Sequence, residues 1–200
     1  MNNHADLPYS PACERNKEPI FAVIEPYLER ANIVLEIGSG TAQHAVYFAE
    51  RCEHLVWQCA DQKHYLSGIA ARLKACGLKN TPAPIELDVN TQSYSQISTQ
   101  YDLIYSANTL HIMDAASVEQ FFKGLQNISK PNATLILYGP FKKNGHFTSP
   151  SNAEFDASLR ARGEGSGIRD LEWIQELACN VGFALKADIQ MPANNQCLLF

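Results

Sequence analysis

Nowhere in the 200 residues does an apolar run approach the roughly 18 residues of a membrane span, so no membrane partner is expected. No cluster of lysine and arginine offsets the formal charge of −5. A nucleic-acid partner is therefore disfavoured, although acidic enzymes that modify nucleic acids stay open. The six cysteines (Cys13, Cys52, Cys59, Cys76, Cys179 and Cys197) make no CxxC pair and no metal-type spacing, so no metal is expected. Four of them, Cys52, Cys59, Cys76 and Cys179, lie in apolar segments where a thiol acts as a small hydrophobe. Residues 1–13 lack a basic start followed by an apolar core, so no signal peptide is expected, and the expected compartment is a reducing cytoplasm. Internal repeats, low-complexity tracts and linkers are missing as well. With 46% hydrophobic and 18% charged residues the composition is that of a soluble globular protein, and the length suits one domain over 1–200.

Short apolar runs alternate with segments of helical spacing. The runs 33–37, 55–59, 84–87, 103–107 and 134–138 are predicted strands, followed by a pair at 183–190 and 196–200. Helices are predicted over 19–30, 42–52, 65–77, 117–129 and 171–181. Alternation of this kind gives βαβ units and a parallel sheet covered on both faces, which accounts for the near-continuous Val, Ile and Leu character of the runs. The connection Met191-Pro192-Ala193-Asn194-Asn195 is too short for a crossover helix, so the last two strands must pair antiparallel. The expected class is α/β: a Rossmann-like class I methyltransferase fold, with a seven-stranded, mostly parallel sheet and a C-terminal antiparallel hairpin. A dinucleotide dehydrogenase would instead repeat βαβ in its second half.

The stretch from Val34 to His44 carries the strongest chemical signal: a strand, two glycines, and the start of a helix. Gly38, Ser39 and Gly40 let the backbone pass close to a ligand at the strand end. Glu36 makes this a poor pyrophosphate site and a better one for a hydroxylated or cationic ligand, and S-adenosylmethionine, a sulfonium with an amino group and a ribose, fits that description. Position 42 is Ala, which costs little where φ is negative. Asp61 ends the second run and can accept from both ribose hydroxyls, a role open to NAD enzymes too, or it caps the next helix. Asp88, with Val89 beside it, can take the amine and ring of an adenine, or it can form a turn. Asn108 lies beside the methyl donor. His111 is the one histidine this reading puts near the strand ends, either as a base for an acceptor proton or as a packing residue. The segment after the fourth run has no Asn/Asp-Pro-Pro-aromatic signature, which disfavours methylation of exocyclic base amines. Arg15 and Arg169 could clamp a carboxylate or simply make surface ion pairs. Residues 139–169 leave the end of a parallel strand without strong periodicity, apart from one short helix near 152–162, and read as a substrate-side cover or as a surface loop.

Nearly the whole chain resembles the methyltransferase-like protein 26 group, also catalogued as a domain of unknown function. The resemblance is carried by YSPACERNKEPI, LEIGSGTAQHAVYFA, WQCAD, LDV, ANTLHI, LYGPF, TSPSNAEFDASLR, GIRDLEW and MPANNQCLLF. It implies an S-adenosylmethionine-dependent methyltransferase whose substrate is not established. It also implies a cofactor loop at Glu36, Gly38 and Gly40, a ribose contact at Asp61 and an adenine pocket at Asp88. Asn108, Arg15 and Asn16 would lie near the methionine end, beneath an N-terminal cap over 1–31. Ala42 and Cys59 depart from the group, which usually has Gly and Pro there.

The expected activity is methyl transfer to a small-molecule nucleophile, with His111 as the candidate base. A non-catalytic S-adenosylmethionine-binding protein is the alternative. A nicotinamide-dependent enzyme is disfavoured by Glu36, Ala42 and the terminal hairpin. The acceptor and the oligomeric state are not legible in the sequence.

Overall fold

The sequence predicts a first helix from Pro19, but helix α1 spans Pro11–Leu28. Its start is set by Ser10, whose hydroxyl accepts from the Cys13 N–H at 3.3 Å, and by Pro11 in the first turn. Pro19 and Pro26 lie inside the helix and deprive the Arg15 and Ala22 carbonyls of donors. Both of those residues are exposed, so water can satisfy what the prolines cannot. This computed structural model describes residues 7–163 and 165–200, the side chains of Gln92 and Ser93 excepted; residues 1–6 of the expected cap lie outside it.

Strand β1 (Ile33–Ile37) leads to α2 (Gln43–Arg51), β2 (Val56–Asp61), a 3-10 turn at Lys63–Tyr65 and α3 (Leu66–Cys76). Strands β3 (Ile85–Glu86) and β4 (Tyr101–Ala107) are joined by the 3-10 turn Gln92–Gln96, with no α-helix in that crossover. Then come α4 (Ala115–Ile128), β5 (Ser129–Gly139), β6 (Phe141–Lys142), α5 (Pro150–Arg160), β7 (Arg169–Asp170), α6 (Leu171–Asn180), β8 (Ala187–Met191) and β9 (Asn195–Leu199).

The main sheet has seven strands in the order β3-β2-β1-β4-β5-β9-β8. All pairings from β3 to β5 are parallel, whereas β9 runs antiparallel to both its neighbours. The expected α/β class, mostly parallel sheet and antiparallel C-terminal hairpin are therefore observed. The turn Pro192–Asn194 joins β8 to β9 and inserts the last strand between β5 and β8. Alternate residues feed two cores. Leu35, Ile104, Leu135 and Leu137 pack with α4 and α6, while Val34, Leu103, Tyr105 and Ile136 pack with α1, α2 and α3. Period-two alternation with both faces buried makes these strands mostly apolar, with Glu36 in β1 and Asp102 and Ser106 in β4 as exceptions.

Segment 139–169 closes on itself. Phe141 pairs with Arg169 and Lys142 with Asp170 in a two-strand parallel ladder, and Ser149 caps α5 by accepting from Asn152 N at 3.1 Å. The Asn152 amide donates to Asn194 O at 3.0 Å, tying α5 to the hairpin turn. No described helix is long and apolar enough to cross a membrane.

Candidate functional site

Sheet order reverses between β1 and β4, and that is where an open α/β sheet leaves a crevice at its C-terminal strand ends. The glycine turn sits there. Gly38 has φ +78°, and a Cβ on it would fall 2.7 Å from Thr109 Oγ1, so only glycine fits beneath the loop that follows β4. Gly40 has φ +53° with open space where a Cβ would project. Its N–H donates to Asp61 Oδ2 at 2.7 Å, and Gln62 N–H donates to Oδ1 at 2.7 Å. Burial raises the Asp61 pKa while these two N–H groups pull it down. Ser39 is internal: its hydroxyl donates to Glu36 O at 3.1 Å and accepts from Ala60 N at 3.1 Å, holding the ends of β1 and β2 together. Ala42 does not meet the condition under which it would cost little, because its φ is +56°. An L-residue held there carries strain of roughly 1–2 kcal/mol that glycine would not.

Glu36 is buried. Its carboxyl is 2% exposed, accepts from Trp57 Nε1 at 3.0 Å and lies 3.9 Å from the Cys59 sulfur. Burial pushes its pKa up to about 8, while the hydrogen bond from Trp57 pulls it down. What Glu36 gives the turn is its backbone carbonyl, through Ser39.

The start of α1 lies against the start of α2. Ser10 N–H donates to Gln43 Oε1 at 2.6 Å, and Asn16 Oδ1 sits 2.6 Å from His44 Nε2. With Asn16 accepting from Nε2–H, Nδ1 is left to accept from the Tyr105 hydroxyl at 3.3 Å. The ring stacks on Phe48, and burial lowers its pKa to about 4, with the Lys17 charge adding a little. His44 and Gln43 escape the sequence reading, which put no histidine but His111 near the strand ends. The available signal was two polar residues opening an amphipathic helix directly behind the glycine turn. The Asn16 side chain meets both His44 and the Tyr138 hydroxyl, and Arg15 stands exposed on the outer side of α1.

Asp88 forms a turn: its Oδ1 accepts from Asn90 N at 3.0 Å and its carbonyl accepts from Thr91 N at 3.1 Å. Val89 is buried in the core cluster with Leu87 and Tyr94. Asn108 ends β4 at φ +57°, with its N–H on Tyr138 O at 2.8 Å.

His111 lies over Gly139, with Nδ1 3.4 Å from where a Cβ on that glycine would be, and packs edge-on to Phe155 of α5. Burial lowers its pKa to about 4, and the charges of Arg169 and Arg162 add to this, so the ring is a neutral acceptor at pH 7. Arg169 is no carboxylate clamp. Its guanidinium donates to the carbonyls of Leu110, Met113 and Gly165 and stitches the loop after β4 to the end of segment 139–169. Among the described residues no three His, Cys, Asp or Glu side chains converge as a metal site.

A family model described as "Protein of unknown function (DUF938)" matches residues 7–200. Solved structures with a similar fold include an O-methyltransferase family protein from Burkholderia thailandensis, with a TM-score of 0.81 at 16% identity over 94% of this chain and 56% of that one. Human N-acetylserotonin methyltransferase, solved in complex with SAM, gives 0.78 at 10% identity over 94% and 52%. Mitomycin 7-O-methyltransferase gives 0.74 at 14% identity over 94% and 56%. At these identities what is shared is the fold, and this chain spans about half the length of each.

Proposed function

The chain belongs to the DUF938 family, and on that premise we propose that it is an S-adenosylmethionine-dependent methyltransferase acting on a small-molecule acceptor. The observation that carries this reading is the pairing of Asp61 with the Gly38–Gly40 turn at the sheet's switch point. A strand-end carboxylate stands there beside backbone that a ligand can approach over Gly40. These residues fit the cofactor: Asp61 would hold the ribose, the turn would face the methionine end, and Asp88 with Val89 would flank the adenine. Asn16, Ser39 and Glu36 support that pocket from behind or beside it, and exposed Arg15 stands apart from it. When bound, the cofactor supplies a methyl group already activated on sulfur.

Orienting the acceptor and excluding water fall to the chain itself, and alignment of this kind is worth roughly 7–11 kcal/mol at best. Segment 139–169 is the substrate-side cover, and neutral His111 takes the acceptor's proton, with Asn108 alongside. The closer kinship to the methyltransferase-like protein 26 group and a reducing cytoplasmic location, in keeping with six free cysteines, belong to the same proposal.

Calorimetric titration of the purified protein with S-adenosylhomocysteine, with NAD as control, tests it. Micromolar binding is expected. Asp61→Ala should weaken it about ten- to a hundredfold, since charge-assisted hydrogen bonds contribute about 1.5–3 kcal/mol. No binding by well-folded protein would overturn the reading. One observation favours a second reading, a non-catalytic S-adenosylmethionine-binding protein: burial leaves His111 a weak base. Release of S-adenosylhomocysteine during a screen of hydroxylated metabolites separates the two readings.

A further inference from the structure

Gln196 is wholly buried, yet half of its amide has no partner. Its Nε2 donates to Phe141 O at 2.9 Å, which fixes the amide's orientation because a carbonyl can only accept. Its Oε1 has no hydrogen-bond partner among the described residues. An unmet buried acceptor costs about 1–3 kcal/mol and is seldom left so without a use.

The register shows what lies beside it. Gln196 stands opposite Gly139 in the antiparallel β5–β9 ladder. Leu137 and Leu198, two residues away along each strand, face the core shared with α4 and α6, so Gly139 and Gln196 present the same face of the sheet. Directly opposed Cβ positions in such a ladder lie about 4.5–5.5 Å apart. Gly139 has no side chain, and the His111 ring lies in ordinary contact with the position a Cβ would take there, Nδ1 nearest at 3.4 Å. A buried carbonyl oxygen in need of a donor and an imidazole nitrogen thus share one side of one cross-strand pair.

We propose that Gln196 is a positioning residue for His111: the two are not hydrogen-bonded in the structure, and a small rotation of the ring lets Gln196 Oε1 accept the Nδ1–H of His111, so that the Nε2 lone pair faces the acceptor. This rests on the reading of His111 as the base. A histidine's tautomer is set by the hydrogen bond its other nitrogen makes, and such contacts are often long before a substrate is in place.

The test needs no acceptor. Long-range 1H–15N correlation spectra of the full chain at pH 7, with the His111 signals identified by their loss in His111→Asn, report which ring nitrogen carries the proton. The expected result is Nδ1–H in the wild type. In Gln196→Met the ratio of Nδ1–H to Nε2–H should fall by about fivefold or more, as expected for one net hydrogen bond. Gln196→Glu should restore it, because a buried neutral carboxyl can donate to Phe141 O and still accept from Nδ1–H. An Nε2–H ring in the wild type overturns the proposal, and that spectrum suffices if Gln196→Met does not fold. Nδ1–H that persists in a folded Gln196→Met overturns it too. Failure of the base reading shows separately, as methyl transfer unchanged by His111→Ala while the tautomer responds to Gln196.

Discussion

Glu36 and His44 are both buried ionisable groups held neutral, and they load the folding equilibrium with opposite signs. Glu36 keeps its proton up to about pH 8 in the folded chain but releases it near pH 4.5 when unfolded. Between those values the native state binds more protons, so its contribution is lost as pH rises. His44 and His111, held near 4 when folded and near 6.5 when unfolded, bind fewer protons in the native state, and their contribution is lost as pH falls. Stability should therefore peak near pH 6.5 and decline towards pH 8 by up to about 1 kcal/mol per unit. Chemical denaturation of Glu36→Gln across pH 6.5–8.5 should show that decline flattened; an unchanged slope would mean that Glu36 is ionised in the fold. Ala42 makes a sharper local case. Ala42→Gly relieves left-handed strain of roughly 1–2 kcal/mol but loses a buried methyl and adds backbone freedom, so it should leave stability within about 0.5 kcal/mol of wild type. Ala42→Val puts a branched side chain at φ +56° and should cost at least about 2 kcal/mol by the same assay.

At the scale of elements, α4 meets the 92–96 turn through a notch. A Cβ on Gly124 would lie 2.2 Å from the Tyr94 ring, whose hydroxyl donates to Phe121 O at 3.3 Å. Gly124→Ala should therefore expel Tyr94 and cost about 1–3 kcal/mol, read as a fall of about 2–10 °C in Tm. The same scale separates what was legible in the sequence from what was not. Strand β1 was legible to the residue, and the cores of β2, β4 and β5 were too, because burial on both faces leaves a mostly apolar run. The early start of β5 was hidden by Ser129-Lys130-Pro131-Asn132, whose composition reads as a turn. The first turns of α1 were hidden by Pro19, a residue that usually ends a helix and here lies inside one. Two-residue strands such as β6 and β7 have no periodicity to detect. At the site, Gly38, Gly40 and Asp61 follow from strand-turn-helix punctuation. The neutral state of Glu36, the work of Arg169 and the Asn16–His44–Tyr105 chain depend on contacts between residues far apart in sequence, which no spacing records.

For the whole molecule, the placement of β9 matters most. Residues 197–200 are buried, and Phe200 exchanges backbone hydrogen bonds with Leu135 at 2.9 and 3.3 Å. Deleting residues 195–200 would leave β8 without the strand it pairs with and expose the whole edge of β5, a template for pairing between chains. Such a variant should lose its cooperative melt and elute as aggregate in size-exclusion chromatography. A soluble monomer with a wild-type melt would mean that the other elements hold the sheet without β9.

That placement also sets a timetable for synthesis. A ribosome releases the chain from its N-terminus, so the five parallel strands can assemble while β9 is still inside the exit tunnel, and β8 emerges with nothing to pair with. Throughout that interval the nascent chain displays an open β5 edge made of Leu135, Ile136 and Leu137. Slow translation of the codons for β8 and β9, or the absence of a chaperone to cover that edge, would then decide yield more than the stability of the finished fold does.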